Sequence, residues 1–220
     1  MPMNISCFGC SFTWGLELDN PQTQAWPFKL ADQLKATVEN HGQCAASNRA
    51  IARKLMMHLL DHEPDAVIVM WTYPGRYEFV IDNSNFVSTH CDSTVSLSGQ
   101  SVPDYFEQFR EYFFKYVAST NSAELYDTFN AIHQSQMLLE QRDIPYVFCS
   151  VNQINLPDLC HPDVARLYSY IKPMTTFDGQ DVETYARSIN DWGISHPLTQ
   201  SHQDIANYLS CSLLTAVNKD

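Results

Sequence analysis

The sequence predicts an α/β fold: a flavodoxin-like three-layer α/β/α sandwich with a parallel sheet of about five strands. Three observations carry that expectation. Apolar runs of strand length alternate with helical stretches along much of the 220 residues. The run Ala66 to Trp71 is apolar without a break, as expected of a strand buried on both faces of a parallel sheet. Elsewhere apolar residues recur four apart, the pattern of a helix with one buried side. Strands that alternate with helices are joined by crossovers, which make the sheet parallel and put helices on both of its faces.

Taken in order, Asn4 to Phe8 is a short apolar strand ended by Gly9. Gln24 to Leu34 reads as a helix with Phe28, Ala31 and Leu34 on one face, and Lys35 to Asn40 as a second short strand. Ser47 is an N-cap residue type. Ile51, Leu55 and Leu59 follow it at intervals of four, beside Ala52 and Met56, and Pro64 closes that helix. After the strand 66–71, residues Tyr73 to Val102 read as irregular and polar. Helices follow over 104–117 and 123–142, then a strand over 144–150. Residues 152–197 read mostly as loop with one or two short helices. A last helix begins near Thr199, with Ile205, Leu209, Leu213 and Val217 as its stripe. Residues 1–220 thus read as one domain with insertions near 73–102 and 152–197. Both are longer than ordinary connections, and such segments often carry function.

Composition narrows the partners. With 45% apolar and 17% charged residues the chain is ordinary globular protein. Thirteen Lys and Arg against 25 Asp and Glu give a net charge of −12, which repels nucleic acid and anionic membrane surfaces. No apolar window is long enough to span a membrane, and Met1 to Ser6 lacks the features of a signal peptide. Seven cysteines without framework spacing fit reduced thiols, so a cytoplasmic location is expected.

In open parallel sheets ligands bind at the carboxyl ends of the strands. Two segments there could carry chemistry. Gly9-Cys10-Ser11-Phe12-Thr13-Trp14-Gly15 puts a serine on a glycine-bounded turn directly after the first strand. Asp191-Trp192-Gly193-Ile194-Ser195-His196-Pro197 puts a histidine, fixed by the following proline, just before the last helix. A nucleophilic serine needs a base within hydrogen-bond reach, and the base gains from a carboxylate that orients it.

The order of these segments resembles the SGNH (GDSL-like) hydrolase superfamily, as a divergent member. Gly9, Ser11 and Gly15 match the block that carries the nucleophile, and His196 with Pro197 matches the block that carries the catalytic histidine. The resemblance implies a serine esterase in which Ser11 attacks and His196 moves the proton. Asp191 is the candidate orienting acid. It lies five residues before the histidine, whereas the family's acid position, three before, holds Gly193. The alternative is a Ser-His dyad with a backbone carbonyl at the imidazole.

The inner blocks depart further. In Asn40 to Asn48, Ala45 falls where a glycine N–H of the oxyanion hole is expected, with Gly42 as the alternative, and the donor survives if φ stays negative. Thr72 stands at the position of the family's asparagine. The resemblance thus gives Ser11, Ala45 and Thr72 as oxyanion donors. Arg76 could supply charge there, or be an ordinary loop arginine. Trp14, Tyr73 and Arg76 are candidate substrate contacts.

Other constellations carry less. Cys7 and Cys10 have redox spacing, but Cys7 reads as buried strand. His58 and His62 lie four apart on one helix with no third ligand near in sequence, so no metal is expected. Cys160-His161 is an isolated pair. No phosphate or dinucleotide loop occurs, so no cofactor is implied. The expected substrate is a small acyl ester, with acetyl as one option and a carbohydrate as one carrier. Two other readings stay open: a catalytically weakened binding protein on this fold, and an acyltransferase using the same serine.

Overall fold

The computed structural model describes residues 2–81, 85–91, 93–118, 120–154, 156 and 160–218, with the side chain of Asn121 left aside. The chain opens with β1 (Asn4–Phe8), whose last four residues are buried, and turns at once into the one-turn helix α1 (Ser11–Trp14). Gly15 ends α1 with φ at 89°, a left-handed conformation that glycine adopts without strain. The expected 24–34 helix is two elements, α2 (Pro21–Gln24) and α3 (Trp26–Leu34). Extended backbone at Ala25 separates them, and each has a proline near its start. Next come β2 (Thr37–Asn40) and α4 (Asn48–Asp61). Ser47 caps α4 by accepting a hydrogen bond from Ala50 N at 3.1 Å, and Ile51, Leu55 and Leu59 are its buried stripe.

β3 (Ala66–Trp71) is buried at all six positions. The next stretch corrects the sequence reading. Rather than irregular chain, it forms β4 (Tyr77–Val80), β5 (Phe86–His90) and β6 (Ser93–Ser96), a separate antiparallel sheet. Its strands are short, and β5 and β6 are rich in Ser and Thr, so no long apolar run announces it. The aromatic helix α5 (Tyr105–Tyr116) covers it: Phe79 meets Phe106, Phe109 and Phe113 at 5.0–5.9 Å between ring centres. Glu78 points the other way and takes a two-pronged hydrogen bond from Arg53 on α4.

The chain then builds α6 (Asn121–Gln141), β7 (Tyr146–Ser150), the short helices α7 (Pro162–Tyr168) and α8 (Val182–Ser188), and α9 (Thr199–Val217). Among the described residues the parallel sheet has four strands, in the order β2-β1-β3-β7, where the sequence led us to expect about five. After β7 no apolar run of strand length remains, and the chain makes short helices instead. α3 packs with α9 and α4 with α6, which gives the two helical layers. Among the described residues, no helix is long and apolar enough to cross a membrane.

The strand order sets where a site can form. From β1 the chain runs outward to β2 on one side, then to β3 and β7 on the other. The carboxyl ends of β1 and β3 therefore flank the point where the connections diverge, and open α/β sheets have their crevice there. Ser11 follows β1 and Thr72 follows β3.

Candidate active site

Ser11 is the first residue of α1 and 4% exposed. Its Oγ lies 2.8 Å from His196 Nε2. His196 is also buried, with its ring 5.1 Å from that of Phe12. The two come together because the segment 191–198 is folded back on itself: Gly193 N donates to His196 O at 2.8 Å, and Leu198 N to Asp191 O at 3.1 Å.

The carboxylate at the far side of the imidazole is Glu17. Its Oε1 lies 2.9 Å from His196 Nδ1. The same carboxylate accepts from Ile194 N at 2.7 Å, Ser195 N at 3.0 Å and Ser195 Oγ at 2.7 Å. The hydrogen bond to His196, followed by those to Ser195 and Ile194, lowers the Glu17 carboxyl to about 2. It is therefore ionised through the neutral range. Glu17 itself has φ at 72°, an uncommon conformation for a residue with a side chain, of the kind that clusters at functional sites.

Asp191 lies elsewhere, which corrects the expectation that it faces the histidine. Its Oδ2 accepts from Ser201 N at 2.5 Å and its carbonyl from Ser201 Oγ at 3.0 Å, so it closes the start of α9. Gly193 explains the exchange. A Cβ at 193 would meet Glu17 Oε2 at 2.2 Å. The bare backbone there leaves the space that the Glu17 carboxylate fills. The sequence reading missed Glu17, a lone glutamate between two leucines. The one signal was indirect, namely glycine at the position three before the histidine.

The other flank holds Ala45, Thr72 and Arg76. Ala45 has φ at 63°, so the condition of negative φ fails and the residue keeps a left-handed conformation. For an alanine this costs about 1–2 kcal/mol. Thr72 is fully buried. Asn48 braces it by accepting from Thr72 N at 2.7 Å and donating to Thr72 O at 3.0 Å. Arg76 Nη1 donates to Thr72 Oγ1 at 3.1 Å and to Ala46 O at 3.5 Å, with its guanidinium 5.0 Å from the Tyr73 ring centre. The Tyr73 hydroxyl donates to Glu183 Oε2 at 2.5 Å, and Trp14 stands 47% exposed just past Ser11.

The thiols do not form a reactive pair in this setting. Cys7 and Cys10 are both fully buried, and burial raises the Cys7 thiol well above its ordinary value. A surface depression of about 1060 Å³ lies at the other end of the sheet, around Pro64, Asp65 and Pro145. A smaller one of about 480 Å³ adjoins Trp14 and is lined by Asn20, Phe28, Val38 and Asn40.

No protein-family model matches the chain, and no curated protein matches it in sequence. Solved structures do. The esterase EstA from Pseudoalteromonas sp., in a structure inhibited by monoethylphosphonate, is 11% identical with a TM-score of 0.55, over 98% of this chain and 99% of that one. The acetyl xylan esterase AlAXEase is 12% identical with a TM-score of 0.50, over 96% of this chain and 100% of that one. AlinE4, an SGNH-hydrolase family esterase, is 15% identical with a TM-score of 0.45, over 98% of this chain and 97% of that one. The chain has a three-layer α/β/α fold, which it shares over nearly its whole length with the first two of these esterases. The likeness is one of fold, at identities too low to transfer residue roles.

Proposed function

We propose that this chain is a serine hydrolase that cleaves a small acyl ester, with an acetyl group on a carbohydrate as the first substrate class to try. The observation that carries the reading is the unbroken relay Ser11 Oγ, His196 Nε2, His196 Nδ1, Glu17, with successive gaps of 2.8 and 2.9 Å. Ser11 attacks the ester carbonyl while His196 takes its proton. His196 then protonates the leaving alcohol, and water attacks the acyl-serine with the same base. Glu17, ionised and held by three further donors, keeps Nδ1 protonated and stabilises the imidazolium. It takes the role that the sequence gave to Asp191.

The oxyanion is held by the N–H groups of Ser11 and Ala45 and by the Thr72 hydroxyl. Among the described residues neither N–H is spent on another backbone carbonyl. Arg76 donates to Thr72 Oγ1, which leaves the threonine's own proton free to point at the substrate. The recessed position of Ser11 favours a short acyl group. Trp14 offers an apolar face to the alcohol side.

Wild type and Ser11→Ala should be compared in p-nitrophenyl acetate turnover and in fluorophosphonate labelling with mass mapping. Turnover and a label on Ser11, both absent from a folded Ser11→Ala, are the expected result. A folded wild type that takes no label overturns the activated serine and leaves the binding-protein reading in front.

A further inference from the structure

We propose that Glu39, His41 and His58 form a binding site for one divalent transition-metal ion, of the zinc class, beside the Ser11 turn and separate from its catalytic groups. Each residue brings one ligand atom, and these atoms lie within 4.8 Å of one another. They come from two successive elements. Glu39 lies in β2 and His41 just after it, while His58 lies on α4. The sequence showed His58 and His62 without a third ligand. The fold supplies two more from the edge of the sheet.

For the pair from the sheet edge the geometry is close to what the ion needs. His41 Nε2 and Glu39 Oε2 are 3.3 Å apart. Two ligands at zinc–nitrogen and zinc–oxygen distances of about 2.0–2.1 Å, at the tetrahedral angle, stand about 3.4 Å apart. His41 Nε2 is shielded from solvent and makes no well-aligned hydrogen bond among the described residues, its polar neighbour being the Glu39 carboxylate, so a metal ion between the two would satisfy both. Both rings are held in place. Phe8 stacks on His41 at 4.7 Å between ring centres, and Ser6 Oγ meets His58 Nε2 at 3.0 Å. The ring of His62 lies 4.4 Å from that of His58, on the outer side of the group. Burial and the facing His58 disfavour a positive charge on His41, the Glu39 carboxylate favours it, and Lys54 on α4 opposes it more weakly. Two imidazoles and one carboxylate are a donor set suited to zinc, with water at the fourth position.

The role is a clamp. The chain that carries His41 is bonded to the Ser11 turn: His41 N donates to Cys7 O at 2.8 Å, Gln43 N to Gly9 O at 3.0 Å and Asn40 Nδ2 to Thr13 O at 2.9 Å. An ion shared with His58 ties this edge to α4 and stiffens the ground on which Ser11 stands.

The test uses the full chain, stripped with EDTA and with the exposed Cys91 and Cys211 alkylated. Zn²⁺ is titrated against a chromogenic chelator, and melting curves are recorded with and without the ion. Expected are one ion per chain at micromolar affinity or tighter, and a melting temperature raised by a few degrees. His41→Ala and His58→Asn should each weaken binding by at least about tenfold and lose the thermal response. His196→Ala should keep both, which separates this site from the catalytic histidine. Glu39→Gln, on a more exposed side chain, serves if a histidine variant does not fold. Absence of binding in folded wild type, or unchanged affinity in folded His41→Ala and His58→Asn, overturns the site.

Discussion

The two flanks of Ser11 are built differently. On the histidine side, Glu17 and His196 meet in short hydrogen bonds, and a carboxylate from an unexpected position completes the set. On the side proposed to hold the oxyanion, Ala45 keeps a left-handed backbone and Thr72 Oγ1 accepts a hydrogen bond from Arg76. The difference lies in what each flank requires. A histidine needs only an oxygen at Nδ1, and any chain segment that can reach is able to provide one. An oxyanion hole needs N–H groups aimed at one point, and these are fixed by the path of the main chain itself. The first can be refitted by moving a side chain, while the main-chain donors of the second keep their place even when their residue types change.

Substitutions can break or sharpen this contrast. Glu17→Gln should lower turnover by about 10³–10⁴-fold with the Ser11 label greatly slowed, because the amide no longer fixes the tautomer. Asp191→Asn should not do so; equal losses in the two variants would remove Glu17 from its special place. Thr72→Val should cost about 10²–10³-fold in kcat with little change in KM, the loss expected for one oxyanion donor. Gly193→Ala should cost about 10²-fold while the fold persists. The new methyl meets the far end of the Glu17 side chain, which swings away rather than disrupting the core.

Two smaller effects bear on stability. Ala45→Gly should stabilise the protein by about 0.5–1 kcal/mol in denaturant melts, with turnover changed little, because glycine accepts the left-handed φ. Glu17 gives the pH dependence. Its folded value, about 2, lies below the ordinary 4.5. The stabilisation is therefore fully present above that ordinary value and is lost as pH falls through about 2. The difference in melting temperature between wild type and Glu17→Gln should shrink over that window; a constant difference removes the linkage.

The sequence made the parallel sheet legible because each buried strand is a short apolar run and each helix shows its stripe. β3 falls on Ala66–Trp71 and α9 begins at Thr199, as the pattern indicated. The antiparallel sheet was hidden because its residues are polar on one side and its apolar partners sit on α5, beyond local view. Ser11 and His196 were visible as motifs. Glu17 was not, since its partners lie 177–179 residues away and only the fold brings them near. The left-handed turn at Ala45 was hidden for a simpler reason, since alanine gives no sign of positive φ.

The open space at residue 193 also constrains how such a site can change by single steps. An aspartate there and a glutamate at 17 would compete for the same volume. A chain that holds its acid at one position is closed to the other until the first is vacated, and a chain with neither runs on an unoriented imidazole. The two positions are therefore coupled in their genetics. Gly193→Asp alone should depress turnover, and the same change combined with Glu17→Gly should restore part of it, a sign reversal that independent sites do not produce.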